Sequence, residues 1–204
     1  FALFKDTDDK YYTADEYKTL IEAEQTDKDK TLIYIYATDR VAQYNYIEAA
    51  KNKGYSVLQM DGQLDVHFIG MLEQKWDKCR FVRVDSDIVE NLVRKEDKPE
   101  VTLTPAQRDT MTTLFKSQIP AVEKAKFMVM FEAMGETVQP IVITQNEFMR
   151  RMKDMASIQP GMSFYGEMPD MFNLVLNADH KLVKEILADE DKECAAALAP
   201  IQKE

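Results

Sequence analysis

The residues with the greatest capacity for chemistry in this chain are few and far apart. The chain contains two cysteines, Cys79 and Cys194, and two histidines, His67 and His180. Nucleophilic catalysis needs a cysteine or serine beside a histidine and an orienting acid, and neither histidine lies in a motif that provides this grouping. The cysteine spacing fits neither a metal site nor a redox motif, and such cysteines usually pack as small apolar side chains in a reducing cytosol. The sequence therefore predicts no catalytic residue and no metal site.

Acidic side chains offer a second kind of chemistry, the binding of cations or of phosphorylated ligands. The run "DSD" at 85–87 supplies two carboxylates, which is too few for the roughly six to eight oxygen ligands of Ca²⁺. The loops "ATDR" and "MDGQLD" follow predicted strands, but they lack the glycines of a phosphate-binding loop. The sequence predicts no bound cofactor. A small-molecule site that uses Asp39, Asp61 or Asp85 stays open as an alternative, because ligands bind α/β sheets at strand carboxyl ends.

Composition excludes several further classes of function. The formal net charge of −10 argues against nucleic-acid binding, which requires Lys and Arg to neutralise phosphates. No apolar run approaches the roughly 18 residues of a membrane span, so we expect no membrane partner. The cysteine usage, which fits a reducing cytosol, predicts a cytoplasmic protein. The first residues, "FALFKDTDDKYY", have no initiator Met and no signal-peptide features, and "ECAAALAPIQKE" at the end is typical of an interrupted helix. We expect a segment of a longer protein.

The elements that position these side chains begin with a predicted α/β three-layer unit. The segment "TLIYIYA" is rich in β-branched and aromatic residues, which is typical of a buried strand. Asp39 is a plausible N-cap of the next helix, and Gly54 stands where a left-handed C-terminal cap is expected. A small parallel sheet in β-α-β-α-β order follows, after a helix at 12–25. Its predicted strands are 31–37, 55–61 and 80–84, and its predicted helices are 39–54 and 64–76.

A second, α+β domain is predicted after the charged linker "RKEDKPE". We place the domains at 1–95 and 96–204. Thr104 is the predicted N-cap of the first helix, with Pro105 at the first helical position and Gln107 completing a capping box. That helix should end before Pro120. The remaining predicted elements are strands at 125–134 and 138–144, a methionine-containing helix from 146, a strand at 171–176 and a short helix from about His180.

The methionine-containing helix has an unusual apolar face. Phe148, Met149, Met152 and Met155 lie within about 120° of one helical face. Nine of the twelve methionines fall between Met128 and Met171, and flexible methionine faces are used where a surface must adapt to different partners. The residues alone leave two readings open, a core face that packs on the domain's own sheet and an adaptable binding surface.

The loop that follows this helix, "QPGMSFYGEMPD", is apolar for a loop. It carries Met162 and Phe164 among glycines and prolines. Large apolar residues in such a loop are typical of contact surfaces rather than of solvated connections. We therefore include Met162 and Phe164 in the candidate binding surface.

Several segments together resemble the ninety-kilodalton heat-shock chaperones. The segment "FNLVLNADHKLVKEI" (172–186) is similar to that family's Leu-Asn-Pro-x-His motif and the apolar pair after it, with Ala178 in place of proline. "TLIYIYATD" resembles the family's Ile-Tyr-Tyr-Ile-Thr strand. "YIEAAKNKGYSVLQMDGQLD" (46–65) resembles its Glu-x-x-x-x-Lys-Gly-x-x-Val-Leu segment, which ends in Ile-Asp. With "LTP" at 103–105, these motifs follow the family's order over most of the chain.

The resemblance implies a specific part of such a chaperone. Residues 1 to about 95 would be the end of the middle domain, and the rest would be most of the C-terminal domain, truncated before the dimerisation helices. The ATP and Mg site lies in an N-terminal region of these ATPases, so this segment would be no enzyme and would bind no cofactor. The full-length chaperone would be a homodimer of the stress response that binds unfolded or partly folded client proteins.

The resemblance also implies client-binding residues. The family's amphipathic helix carries apolar residues at positions i and i+4, which correspond here to Phe148 and Met152, with Met155 one turn further on. A second patch has an aromatic residue two positions after Ile-Asp, where this chain has His67 followed by Phe68. We expect client binding by the methionine-containing helix and loop. The alternatives are a structural or dimerisation module with this face as core, and a small-molecule-binding enzyme domain.

Overall fold

The structure is a computed structural model that describes residues 3–156 and 168–198, with side chains described up to residue 193. Two compact units share the chain. The first contains residues 1–97 and 144–170, and the second contains residues 98–143 and 171–204. This division departs from the predicted boundary at 95–96 in one segment. Residues 144–156, which we expected in the C-terminal domain, belong to the first unit, because polar side chains near 147 bind to it.

The first unit is built on a parallel sheet. Its order is β4-β3-β5, and β3 pairs in parallel with both neighbours, as the sequence predicts. A short antiparallel hairpin of β1 and β2 precedes it; the sequence analysis missed this hairpin, because each strand has only three residues. The elements are β1 (Leu3–Lys5), β2 (Tyr11–Thr13), α1 (Ala14–Ile21), β3 (Leu32–Ala37), α2 (Tyr44–Asn52), β4 (Val57–Gln59), α3 (Asp65–Lys75), β5 (Cys79–Arg83) and α4 (Val89–Leu92).

Both faces of this sheet are buried, because the side chains of β3 alternate between two apolar clusters. Tyr34 and Tyr36 join the cluster that includes residues of α1 and α3. Ile33 and Ile35 join the cluster that includes residues of α2 and α4. All six residues of β3 are buried, which is the pattern of a central strand covered on both sides.

The start of α2 differs from the prediction, whereas its end agrees. The Asp39 carboxylate accepts hydrogen bonds from the backbone N–H groups of Val41 and Ala42, both at 2.9 Å. Asp39 therefore caps a turn, and the helix begins five residues later, at Tyr44. Gly54 follows the helix with φ +85°, the left-handed conformation expected of a C-terminal glycine.

The second unit contains helices and a three-stranded sheet of order β6-β8-β7. The predicted capping box is confirmed: Gln107 N donates to the Thr104 hydroxyl, and the Gln107 side chain accepts from Thr104 N. The helix ends at Gln118, before Pro120. The last helix is longer than the short one predicted. The remaining elements are α5 (Pro105–Gln118), β6 (Ala125–Glu132), β7 (Ile141–Gln145), α6 (Glu147–Ala156), β8 (Asp170–Asn177) and α7 (Lys181–Leu198), with α6 in the first unit.

The "LNADH" motif has a structural role in this unit. Asn177 is completely buried. Its side-chain amide donates to the carbonyl of Gly135 at 2.8 Å and accepts from the N–H of Met134 at 3.2 Å, so it fixes the loop after β6. His180 Nδ1 accepts from the N–H of Leu182 at 3.1 Å at the start of α7. These contacts explain why asparagine and histidine occupy these positions.

Candidate functional site on helix α6

Helix α6 buries a charged side chain and exposes an aromatic one. Arg150 is 4% exposed, whereas Phe148 is 67% exposed. Met149, Met152 and Met155 are half-buried. The helix begins after Asn146, whose side chain accepts from Met149 N at 3.1 Å and so satisfies a free N–H of the first turn. An ordinary amphipathic helix buries its apolar face, so a buried arginine beside an exposed phenylalanine needs a physical explanation.

The explanation begins with Glu147, a carboxylate held by several donors. Its Oε1 accepts from the Tyr36 hydroxyl at 3.1 Å, and its Oε2 accepts from the backbone N–H of Arg83 at 3.3 Å. Arg150 and Arg151 also donate to Oε1, at 3.1 and 2.6 Å. Burial alone would raise the pKa of Glu147, but the two guanidinium groups outweigh it and hold this pKa below the ordinary value of 4.5. Glu147 is therefore ionised at neutral pH.

Arg150 is buried against the aromatic ring of Tyr36 in β3. Its Nη2 donates to the Tyr36 hydroxyl at 2.6 Å, and the guanidinium carbon lies 5.8 Å from the centre of the ring, within cation–π range. Asp154, one turn along the helix, accepts a further hydrogen bond from Nη1. Burial, and next the Glu147 charge, raise the pKa of Tyr36 to about 12, so this hydroxyl stays protonated and can donate to Glu147.

Arg151 connects α6 to α3 and to β5 through hydrogen bonds. Its Nη1 donates to the Glu73 carboxylate at 2.8 Å, and its Nη2 donates to the carbonyl of Phe81 at 2.5 Å. Glu73 also accepts from the backbone N–H of Phe81 at 2.6 Å. Ion pairs and hydrogen bonds thus hold the polar side of α6 against the first unit, and Phe148 is left facing outward.

An open groove of about 800 Å³ runs beside these contacts. Trp76, Cys79 and Phe148 supply apolar surface to its lining, and Glu73 and Arg151 supply charge. Burial raises the pKa of the Cys79 thiol to about 12, so the thiol is protonated at neutral pH and is a poor nucleophile. The groove therefore offers apolar and charged contacts rather than covalent chemistry.

The second candidate patch, His67 and Phe68, lies on α3, and both residues are half-buried. The ring of Phe68 packs on the core, 6.3 Å from the ring of Phe4. The more exposed apolar residues here are Leu64, 69% exposed just before α3, and Met71, 50% exposed. The sequence analysis missed both, although their spacing of two helical turns could have indicated them.

Met162 and Phe164, the loop members of the candidate surface, lie outside the described residues. The structure therefore brings together, on one helix, the candidates Phe148, Met149, Met152 and Met155. Helix α3, with His67 and Phe68, is in contact with α6 within the first unit.

The three aspartates of the small-molecule alternative are engaged in local contacts. Asp39 caps a turn, Asp61 accepts from Gln59 Nε2 at 2.8 Å, and Asp85 pairs with Arg83. A cleft of about 450 Å³ at the carboxyl ends of the strands is lined by Asp61, among others, but not by Asp39 or Asp85. Within residues 3–156 and 168–193, no group of three His, Cys, Asp or Glu side chains is arranged to hold a metal ion.

Comparison with known proteins gives a consistent match along the chain. No family model matches. Over 204 residues the chain is 65% identical to a chaperone protein HtpG of Bacteroides fragilis strain YCH46 and 60% identical to one of Bacteroides thetaiotaomicron. Over 202 residues it is 52% identical to the chaperone protein HtpG of Porphyromonas gingivalis strain ATCC 33277. The chain is homologous to a segment of the HtpG chaperones. HtpG is the bacterial form of the family that the motifs resemble, so that resemblance is confirmed.

The match covers nearly all of this chain but only part of each relative. It covers 99 to 100% of this chain but 30% of each HtpG relative, so the chain spans less than a third of their length. Within the described part of the chain, no helix is long and apolar enough to cross a membrane.

Proposed function

We propose that this chain is the client-handling part of an HtpG-type chaperone. The apolar side of α6, on which Phe148 is exposed and Met149, Met152 and Met155 are half-buried, binds segments of unfolded or partly folded proteins. Met162 and Phe164 extend this surface, and His67 and Phe68 on α3 form a second patch. Binding by burial of flexible methionine side chains requires no particular client sequence, which suits a chaperone with many clients.

The single observation that carries this proposal is the orientation of α6. A helix whose apolar side were core would bury Phe148, yet Phe148 is 67% exposed and Arg150 is 4% exposed. Buried ion pairs instead hold the polar side of α6 inward. This arrangement favours a contact surface over the alternative of a structural module with the methionine face as core.

The wider activity belongs to the whole protein in this proposal. There, ATP and Mg would bind in regions beyond these 204 residues, the ATPase cycle would open and close the client cleft, and two subunits would pair. Residues 1 to about 95 would be the end of the middle domain and the rest would be most of the C-terminal domain. The chaperone would act in the cytoplasm, as a protein of the heat-shock response.

The test is binding of a permanently unfolded protein, such as reduced carboxymethylated α-lactalbumin, measured by fluorescence anisotropy. The variant carries Phe148→Ser, Met152→Ser and Met155→Ser. Its matched control carries Val41→Ser and Tyr44→Ser, which remove exposed apolar side chains elsewhere on the first unit. We expect the variant to bind at least about tenfold more weakly, since each buried apolar contact is worth about 1 kcal/mol or more.

The control should bind like the unchanged chain. Unchanged binding by the triple variant would refute the proposed surface. Loss of thermal stability without loss of binding by the remaining folded protein would favour the core alternative. Equal weakening in the control would show that exposed apolar residues in general, rather than α6, bind the client.

A further inference from the structure

The edge of the sheet beside α6 is closed by side chains rather than by another strand. In the order β4-β3-β5, β5 is an edge strand. Lys78 O and Val84 N bond to β3, so the even-numbered residues use their backbone groups inside the sheet and the odd-numbered ones face outward. The unpaired backbone N–H and C=O groups of such an edge can pair with strands of other chains.

Three of these outward groups are bonded to carboxylate or guanidinium groups. Phe81 N donates to Glu73 at 2.6 Å, and Phe81 O accepts from Arg151 at 2.5 Å. Arg83 N donates to Glu147 at 3.3 Å. Two of the three partners, Glu147 and Arg151, lie on α6, and the third, Glu73, is ion-paired with Arg151. The helix is therefore attached to the strand through the strand's own edge.

We propose that Glu73 is a positioning residue for the client-binding side of α6. Through its pair of bonds, to Phe81 N and to Arg151, Glu73 fixes Arg151 against β5. Arg151 and Glu147 then set the rotation of α6 so that Phe148 faces outward. This inference rests on the proposed function, because it concerns the same surface, but it assigns a role to residues that contact no client.

The geometry shows why a carboxylate is required at position 73. The side chain at this position must accept a hydrogen bond from Phe81 N and, on its remaining lone pairs, another from the Arg151 guanidinium. The Glu73 and Arg151 side chains are only 23% and 22% exposed, so solvent screens their interaction less than it screens surface pairs. A glutamine retains one acceptor for Phe81 N but loses the charge that holds Arg151.

The contacts of α6 with β3, β5 and α3 come from its first turns, and Lys153 adds an ion pair with Asp170 at 2.6 Å. Glu147, Arg150 and Arg151 carry the contacts to β3, β5 and α3 described above, whereas Met152 and Met155 follow them in sequence. A helix held in this way offers its apolar side already oriented, so client binding need not supply the cost of ordering it. Release of Arg151 should therefore weaken client binding while the core of the unit stays intact.

The test compares Glu73→Gln, Arg151→Gln and the double variant in the 204-residue chain. The matched controls are Glu24→Gln and Arg40→Gln, which break the exposed ion pairs Lys95–Glu24 and Arg40–Asp9. Hydrogen exchange is followed separately in α6 and in β3, and affinity is measured for reduced carboxymethylated α-lactalbumin. Arg151→Lys is included because it keeps the charge but has no planar group to reach both Glu73 and Phe81 O.

We expect exchange in α6 to rise about tenfold or more in each single variant, since charge-assisted hydrogen bonds are the stronger class, with exchange in β3 unchanged. Client affinity should fall about three- to tenfold through the lost preorganisation. The double variant should resemble Arg151→Gln, because that change alone already breaks the Glu73–Arg151 pair. Arg151→Lys should be intermediate, and the controls should match the unchanged chain.

Unchanged exchange in α6, or unchanged or tighter client binding in Glu73→Gln, would overturn the positioning role. A parallel rise of exchange in β3 would also overturn it, because that result indicates general loss of stability. The serine variant of α6 separates the two proposals. If it still binds the client, the proposed function fails; if it loses binding while Glu73→Gln retains it, only the positioning role fails.

Discussion

Replacing Phe148 with alanine should cost little stability, although it removes a large aromatic side chain. Phe148 is 67% exposed, so about a third of its surface is buried. Full burial of a phenylalanine side chain contributes about 1.5–3 kcal/mol, and a third of this is about 0.5–1 kcal/mol. The higher helix propensity of alanine offsets part of the loss, by about 0.5 kcal/mol. We therefore expect the free energy of unfolding of the first unit to fall by less than about 1 kcal/mol.

The control for this substitution is Leu58→Ala in the same unit. Leu58 is completely buried, and truncation of a buried leucine costs about 2–5 kcal/mol. The assay is guanidinium unfolding followed by the fluorescence of Trp76, the single tryptophan, which packs on the core of the first unit. If Phe148→Ala costs as much as Leu58→Ala, then the side chain is core, and the reasoning that treats it as surface is wrong.

Three further predictions concern single side chains. Because the folded pKa of Glu147 is depressed below 4.5, its stabilising contribution is complete above that pH and is lost as the pH falls through the folded pKa. The protection of α6 amides from hydrogen exchange, taken relative to an unstructured peptide at the same pH, should fall only below about pH 4.5, and Glu147→Gln should abolish this pH dependence. Thr104→Ala should destabilise the second unit by about 1 kcal/mol through loss of the N-cap, as measured by thermal unfolding; no change would show that the capping box is dispensable. Cys79, with a pKa of about 12, should react with iodoacetamide at pH 8 far more slowly than a free thiol, and a rate equal to that of glutathione would contradict its burial.

Local signals explain which elements could be predicted. The parallel strands and the capped helix α5 follow from residues that are close in sequence, such as the β-branched run of β3 and the pair Thr104 and Gln107. The start of α2 was placed too early because Asp39 can cap a turn as well as a helix, and its residue type does not distinguish the two. The hairpin of β1 and β2 has too few residues for its periodicity to be recognised.

The orientation of α6 could not have been predicted from its own sequence. An amphipathic pattern shows that one side is apolar, but it does not show which side faces inward. That choice depends on partners far away in the chain, namely Tyr36, Glu73 and the backbone of Phe81. Tyr36 and Arg150 are 114 residues apart in the sequence, so the periodicity within α6 cannot indicate their contact. The same contacts place residues 144–156 with the first unit rather than with the neighbouring residues of the second.

The most direct test of the account is photo-crosslinking of a client from α6. A photoreactive phenylalanine analogue is placed in position 148 and, as a control, in place of Tyr44, which is similarly exposed at 60%. Each protein is irradiated with reduced carboxymethylated α-lactalbumin and with the native, folded form of the same client. The account predicts crosslinks from position 148 to the unfolded form alone, and few from position 44. Equal yields from the two positions, or none from position 148, would contradict the claim that α6 binds client proteins.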